Sequence, residues 1–381
     1  MRHRFVNFLL ANSKNYTVLP KVPFQLTRNQ APTKPAQLDL QLKRMKDSYM
    51  EQFLFFKSDP MTRELYINFA GNIRIAKLLE NLDALAGAIA YQHADDGKIF
   101  NNSDSQITIV TASIDRIDLL KMPTAKLDLK ISGNVTFVGH SSMEVTMKVS
   151  HVIFKESTTN VMKDIQGYES KDMESNLPIH AAASPELAEI LKRIYYGKNN
   201  KIGAKLNDAI EKEIPVMTAK FCMVARDALN QTAVQVHPLK LETAEEHHVF
   251  NKGNQTRNLK RIQAQQSLAK QPPTADELKN VHQLFLKTQL SQGVLHPQQG
   301  ISSLLEYSTK KESFPGMVFM RDTSLESVSI MQPQDRNIHN FIFGGFLMRI
   351  SYELSYCTSM IYANQGSVQF MAMDDVMFRK P

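Results

Sequence analysis

A short span near the end of the chain, Asn337–Tyr356, combines residue types that together can do chemistry. It begins with a polar turn, passes through the glycine pair Gly344–Gly345, and continues as a nearly all-apolar helix, which is normally buried. Glycines at the start of a helix let backbone N–H groups approach a ligand without a Cβ in the way, and the helix dipole there favours negative charge. The span therefore predicts a site that stabilises an oxyanion.

Two carboxylates are candidates for partners of these amides. At about 100° per residue, Glu353 falls in one stripe with Phe346 and Ile350, which predicts that it points toward the core. Asp83 projects from the flank of another apolar stripe, beside Leu79, so we expect its carboxylate to be partly buried and turned toward a cleft. Each feature alone is more often structural. Asn337, the glycine pair and Glu353 lie within one short span, and this combination favours a functional interpretation.

Two kinds of element must position these residues. Between Ile75 and Ile89 apolar residues repeat at i, i+3, i+4 and i+7, which predicts an amphipathic helix. Four later segments are rich in alternating Ile, Val, Thr and Phe and predict antiparallel strands. They are Ile107–Ile117, Leu127–Val138, Met143–Phe154 and Val216–Ala225. One helix followed by long strands predicts an α+β fold in which the sheet wraps the helix.

The other segments are predicted from composition and spacing. Gln41–Phe56 is polar and helix-like, and an insertion of about 155–214 carries two helical runs whose role as a lid, a partner site or neither stays open. Residues 241–300 predict a helical linker broken at Pro272–Pro273. The adjacent histidines His247–His248 project about 100° apart on a helix, whereas paired helical ligands sit at i and i+4, so no metal site is predicted.

The second apolar helix repeats the first. Asn68–Ala76 aligns with Asn337–Gly345, although two apolar residues replace the glycine pair, and each segment leads into a helix that bears an acid. On this register Asp83 lies opposite Tyr352, with Glu353 one residue further on. The chain is therefore predicted to contain two related units, an internal pseudo-dimer.

Domain boundaries follow from the repeat. We predict a first unit at 39–240, the linker at 241–300, and a partial second unit at 301–381, because only one strand-like segment, 367–378, follows its helix. A fragmentary product or a partner chain that completes the sheet would account for this, so we expect a homo-oligomer. Residues 1–38 contain six Arg or Lys and no Asp or Glu, which is typical of a mitochondrial transit peptide; a flexible basic tail is the alternative.

Composition excludes several classes of protein. A chain of 381 residues with 43% apolar and 22% charged residues is long enough for two domains with cores. Cys222 and Cys357 lie far apart in apolar runs, which argues against a disulfide scaffold and suits a reducing compartment. The net charge of +7 is modest, aromatic-flanked basic patches are absent, and no apolar run approaches the roughly 18 residues of a membrane span. We therefore predict neither a nucleic-acid partner nor a transmembrane segment.

The motif Asn-x-x-x-x-Ile-Phe-Gly-Gly-x-Leu-Met-Arg-x-x-Tyr-Glu-Leu, which starts at Asn337, resembles the central-helix motif of hot-dog acyl-CoA thioesterases. The flanking segments 334–336 and 374–378 fit the same pattern, whereas Asn340 and Phe343 replace the Gly and His of the family. Further matching fragments are Leu79–Asp83, Ile109–Ala112, Ser142–Val145 and Phe221–Asp227. The resemblance thus covers both helices and most of the chain between them.

The resemblance implies a tandem (double) hot-dog fold, with each central helix wrapped by antiparallel sheet and the second unit truncated. It implies hydrolysis of an acyl-CoA to the free acid and coenzyme A, without cofactor or metal, in the mitochondrial matrix. The carboxylate of Asp83 then acts as the catalytic base or nucleophile. Asn337 orients water or substrate from the other unit, and Gly344–Gly345 supply the oxyanion N–H groups. Asn68 with Glu353 is a possible second, degenerate site.

Three alternatives stay open at this point. A catalytically silent acyl-CoA-binding paralogue is favoured by the truncated second unit. A hydratase needs an Asp and a His in a short shared motif, for which His339 is the nearby candidate, and no such motif is present. A scaffold protein would use the insertion as its interface.

Overall fold

In the computed structural model, the described residues are 40–57, 59–68, 70–94, 107–155, 201–227, 232–267, 270–291, 320–332, 335, 342–363 and 368–378. They form eight strands: β1 (Lys43–Arg44), β2 (Met50–Leu54), β3 (Ile107–Leu119), β4 (Asp128–Val138), β5 (Ser142–Phe154), β6 (Ile210–Asp227), β7 (Leu239–Lys240) and β8 (Ala372–Met377). They also form six α-helices: α1 (Pro60–Tyr66), α2 (Ile75–Ala94), α3 (Lys201–Ala209), α4 (Ala244–Gln265), α5 (Ala275–Ser291) and α6 (Gly344–Ala363). None of these described helices is long and apolar enough to cross a membrane.

The sheet that positions the site has six strands in the order β2-β4-β5-β6-β3-β8, and every neighbouring pair is antiparallel. All four strands predicted from alternation are confirmed. Strand β6 begins at Ile210 rather than at Val216, because the residues before Pro215 continue to pair with β5 as far as Phe154. Helix α3 is a described part of the predicted insertion, and residues 156–200 lie outside the described part of the chain.

Helix α2 packs along one face of this sheet and forms the centre of the core. Its apolar stripe is fully buried at Leu78, Leu79, Leu82, Leu85 and Ile89. Facing strand residues that are equally buried include Ile114, Leu129, Ile131, Val145 and Phe221. The sequence-based expectation of an α+β fold with a sheet wrapped around a helix is therefore confirmed.

Elements from both predicted units share this core. Strand β8 pairs with β3, and helix α6 packs beside α2. On the opposite face of the sheet, α4 packs through Phe250, whose ring centroid lies 4.9 Å from that of Phe137. Lys260 of α4 then bridges Asp115 of β3 at 2.7 Å and Asp375 of β8 at 2.9 Å. Helix α4 thus joins β3 and β8 through one lysine.

The helix-like interpretation of Gln41–Phe56 is wrong. The segment forms β1, a 3₁₀ turn at Met45–Ser48 and then β2, which pairs with β4 from Met50 opposite Gly133 to Leu54 opposite Leu129. Phe53 and Leu54 are buried by this pairing. A strand that completes the sheet buries more apolar surface than a solvated helix, so tertiary context overrides local propensity.

We expect Gly133→Ala to destabilise the fold, although replacing glycine by alanine restricts the unfolded chain and would by itself favour folding. A Cβ at Gly133 would overlap the sulfur of Met147 and lie 2.7 Å from the backbone oxygen of Thr146, which cannot rotate away. Overpacking of this kind costs about 1–3 kcal/mol of unfolding free energy, measurable by chemical denaturation.

Gly87→Ala is the matched control for this measurement. Gly87 lies inside α2, and a Cβ at this position would meet no heavy atom of the described residues within 4 Å, so this variant should gain roughly 0.5–1 kcal/mol from helix propensity. Equal changes in unfolding free energy in the two variants would contradict the packing argument at Gly133.

Candidate active site

Asp83 lies in the middle of α2 and is 2% exposed. The sequence predicted partial burial at the edge of the apolar stripe. Burial is nearly complete because the sheet covers one side of α2 and α6 packs beside it. A carboxylate in such a place requires hydrogen-bond partners, since an unpaired buried charge is costly.

One partner comes from strand β3. The hydroxyl of Thr111 donates to Oδ1 of Asp83 at 2.8 Å. Thr111 lies at an irregularity where the register of β3 against β6 shifts before Ser113. Irregularities of this type often aim a side chain at a site. Sequence reasoning did not assign Thr111 a role, although the fragment Ile109–Ala112 contains it.

The other carboxylate oxygen faces the glycine pair at the start of α6. Oδ2 of Asp83 is buried and accepts no hydrogen bond of normal geometry from the described residues. A Cβ on Gly344 would lie 3.0 Å from this oxygen, so the absence of a side chain lets the backbone of α6 approach the carboxylate closely. The structure thus brings Asp83 close to the predicted oxyanion glycines, although Gly344 lies 261 positions after Asp83 in the sequence.

Burial raises the pKa of Asp83 to about 6. The Thr111 hydroxyl and the backbone N–H of Gly345 oppose this shift by favouring the charged form, and the negative charge of Glu80 adds to it. A carboxylate with this pKa is mostly ionised above pH 7 and still accepts a proton readily. Such a poised group is what a general base at neutral pH requires.

The first turn of α6 docks closely on α2. A Cβ on Gly345 would lie 3.0 Å from the backbone oxygen of Glu80, one turn before Asp83. The amides of Phe346 and Leu347 donate to the carbonyl of Phe343, so the amides of Gly344 and Gly345 precede the bonded part of the helix. These amides and the helix dipole create a positive potential next to the carboxylate.

The candidate second site is arranged differently. The side-chain oxygen of Asn68 accepts hydrogen bonds from the amides of Ala70 and Asn72, each at 3.0 Å, and closes a turn. Glu353 is 45% exposed at its side chain and pairs with Arg74 at 3.1 Å, so the expectation that it faces the core is wrong. Asn68 and Glu353 therefore interact with different partners in this structure.

The repeat register places an aromatic residue where the second site would need an acid. Tyr352 packs against Phe370, with ring centroids 5.3 Å apart. Asn337 lies outside the described residues, so its predicted place beside Asp83 stays a prediction. Within the described part of the chain, no group of three or more His, Cys, Asp or Glu side chains is arranged to hold a metal ion.

Comparison with known proteins gives relatives over most of the chain, although no model of a protein family matches it. The chain is 34% identical over 349 residues to the mitochondrial acyl-coenzyme A thioesterase 9 of Bos taurus, covering 91% of this chain and 63% of the relative. It is 33% identical over 342 residues to the Homo sapiens protein of the same name, with 89% and 61% covered. It is 29% identical over 349 residues to the chloroplastic acyl-coenzyme A thioesterase 2 of Humulus lupulus, with 91% and 63% covered.

These similarities confirm the resemblance to acyl-CoA thioesterases that the motifs indicated. The chain spans about three fifths of the length of these relatives. Among solved structures, a hexameric acyl-CoA thioesterase matches with 20% identity and a TM-score of 0.36, covering 59% of this chain and 98% of that one. An acyl-CoA hydrolase from Staphylococcus aureus matches with 17% identity and a TM-score of 0.36, covering 60% and 98%.

Proposed function

We propose that the chain is an acyl-CoA thioesterase that hydrolyses an acyl-CoA to the free acid and coenzyme A. The observation that carries the proposal is the buried carboxylate of Asp83, which is anchored through Oδ1 by Thr111 and presents Oδ2 to the glycine start of α6. A carboxylate that acts as base or nucleophile next to N–H donors for the oxyanion can catalyse thioester hydrolysis, and this arrangement contains both groups.

The chemistry follows from these positions. As a general base, Asp83 takes a proton from water while the water oxygen bonds to the thioester carbon, and the carbonyl oxygen becomes negative. The amides of Gly344 and Gly345 stabilise that oxygen, and the helix dipole adds to the effect. The N–H of Gly345 favours the charged form of Asp83 before the reaction, and it becomes available to the substrate as Asp83 takes up the proton. Collapse of the intermediate breaks the C–S bond, and the coenzyme A thiolate leaves and takes up a proton. As a nucleophile, Asp83 would instead attack the thioester carbon and displace the coenzyme A thiolate, and water would then hydrolyse the resulting anhydride to the free acid and the Asp83 carboxylate.

We place this site in a tandem hot-dog architecture whose second unit begins at about residue 301. The pairing of β8 with β3 and the packing of α6 beside α2 support it, because helix meets helix and strand meets strand at the boundary of the units. A homo-oligomer, location in the mitochondrial matrix and a cleavable leader at residues 1–38 belong to the same proposal. The mitochondrial names of the mammalian relatives support the location.

Release of coenzyme A thiol from a panel of acyl-CoAs of increasing chain length tests the activity directly. The purified full-length chain should turn over at least one member of the panel. Saturable binding of acyl-CoA without thiol release would support the silent binding paralogue instead. Neither binding nor turnover would refute both.

We expect Asn337→Ala to lower kcat about tenfold or more, because loss of an orienting amide misplaces water or substrate relative to Asp83. If both residues serve one composite site, combining this change with Asp83→Asn should cost much less than the product of the two single effects. Steady-state kinetics on the best acyl-CoA measures both. Fully multiplicative effects would show that Asn337 acts independently of Asp83.

A further inference from the structure

Three ionised side chains meet at the contact between α2 and α6, one turn away from Asp83. The Glu80 carboxylate accepts a hydrogen bond from Lys77 at 3.1 Å, and Arg349 of α6 lies 3.4 Å from the same carboxylate oxygen. Their side chains are 15%, 15% and 26% exposed for Glu80, Lys77 and Arg349. The Arg349 guanidinium also stacks over the ring of Phe346, 5.1 Å from its centroid. Nε of Arg349 is buried and makes no hydrogen bond of normal geometry within the described residues, so its attraction to Glu80 is one between charges.

This cluster is joined to the active site through the backbone. A Cβ on Gly345 would lie 3.0 Å from the backbone oxygen of Glu80, and a Cβ on Gly344 would lie 3.0 Å from Oδ2 of Asp83, so both glycines bring α6 close to α2. Glu80 and Asp83 lie three residues apart on α2, and Arg349 lies four residues beyond Gly345 on α6. The ion pair therefore joins α2 and α6 about one turn from Asp83 on the first helix and one turn from the glycine amides on the second.

We propose that the Glu80–Arg349 ion pair is the positioning device of this active site, which fixes the first turn of α6 against Asp83 and balances the charge around that carboxylate. The inference rests on the proposed function, since it assigns a role within the same site. Glu80 and Arg349 act through Asp83 and the α6 amides and do not touch the reacting atoms.

The charges around Asp83 make this role measurable. Its own helix presents Glu80, β3 presents the neutral Thr111, and α6 presents the two glycines without side chains. Of these groups Glu80 carries a charge, and it raises the pKa of Asp83. Arg349 and Lys77 offset that charge. Removing Glu80 should therefore lower the pH at which Asp83 titrates, and removing Arg349 should raise it.

The test compares pH–rate profiles of Glu80→Gln and Arg349→Gln. In the plot of kcat against pH, Glu80→Gln should move the acid limb to lower pH, and Arg349→Gln should move it to higher pH. Each shift should be at least about 0.3 pH unit. Arg349→Gln should also lower kcat more than it changes KM, because the amides are needed where negative charge develops. Arg349→Lys, which keeps the charge, should return the limb toward the wild-type position. If Arg349→Gln does not fold, Lys77→Gln removes the other offsetting charge and should shift the limb in the same direction.

Arg74→Gln is the matched control, because Arg74 lies just before α2, nine residues ahead of Asp83, and pairs with Glu353 of α6. It should leave the limb unmoved. Shifts in the same direction for Glu80→Gln and Arg349→Gln, or no shift in either, would overturn the proposal, since a purely structural bridge predicts no opposite signs. The pH dependence of unfolding free energy, compared with and without Asp83→Asn in each background, reports the same titration without catalysis. An inactive wild type would therefore refute the proposed function and still leave this inference testable.

Discussion

Asp83→Asn is expected to lower kcat by about 10²-fold or more and, at the same time, to make the protein more stable at neutral pH. Asparagine has nearly the shape of aspartate and can still accept the hydrogen bond from Thr111, but it accepts no proton and carries no charge. The loss of rate follows from the missing base or nucleophile. The gain in stability follows from removing a buried charge that is poorly compensated at Oδ2.

The sign of the stability change follows from proton linkage. The pKa of Asp83 is raised from 3.8 to about 6 by folding, so the folded protein binds this proton more tightly than the unfolded chain does. Stability associated with Asp83 is therefore fully present below about pH 4 and is lost as the pH rises through about 6. The total is on the order of 1–3 kcal/mol. Asp83→Asn should recover most of it above pH 7 and very little below pH 4.

Denaturant unfolding at several pH values, run beside kinetics on the same preparations, measures both effects. Glu353→Gln is the matched control, because Glu353 lies on the partner helix α6 and is half-exposed in a pair with Arg74. It should change stability slightly and turnover little. An equal or greater loss of activity from Glu353→Gln would place the working acid in the second unit.

The sequence allowed Asp83 and the glycine pair to be predicted because both signals are local. The apolar spacing of α2 places Asp83 at the edge of the buried stripe, and two adjacent glycines before an apolar helix indicate close approach of a backbone. Their contact with each other depends on how α6 packs against α2, and no local pattern contains that information. The internal repeat and the resemblance supplied it instead.

Two residues show where local reasoning stops. Thr111 is one of many β-branched residues in an ordinary alternating strand, and its hydrogen bond to Asp83 depends on a change of register between β3 and β6. Glu353 lies in the predicted stripe of α6, but burial of that stripe requires a covering layer. Within the described residues α6 buries only Gly345 and Met348, so Glu353 remains half-exposed beside Arg74. Helical periodicity predicts which residues share a face and does not specify what covers it.

Gly344→Ala is expected to lower kcat about 10²-fold with a small effect on stability. The added methyl group would lie 3.0 Å from Oδ2 of Asp83 and 3.4 Å from the side chain of Thr111, where water or the thioester must approach. Alanine is otherwise well suited to the first turn of a helix, so the backbone has no reason to unfold. A displacement of about 1 Å between the amides and the carboxylate suffices for a loss of this size.

Two other alanine variants separate this effect from general crowding. Gly345→Ala places its methyl group 2.6 Å from the ring of Phe343 and 3.0 Å from the backbone oxygen of Glu80, which cannot rotate away, so it should displace α6 from α2 and lower stability as well as activity. Gly87→Ala lies one turn after Asp83 on α2, in space free of described atoms, and should keep full activity. Kinetics and unfolding of the three variants in parallel therefore distinguish blocked access to Oδ2 from a displaced helix. If Gly344→Ala retained wild-type kcat, that oxygen would not be where the reaction occurs, and the substrate would have to reach Asp83 from another side.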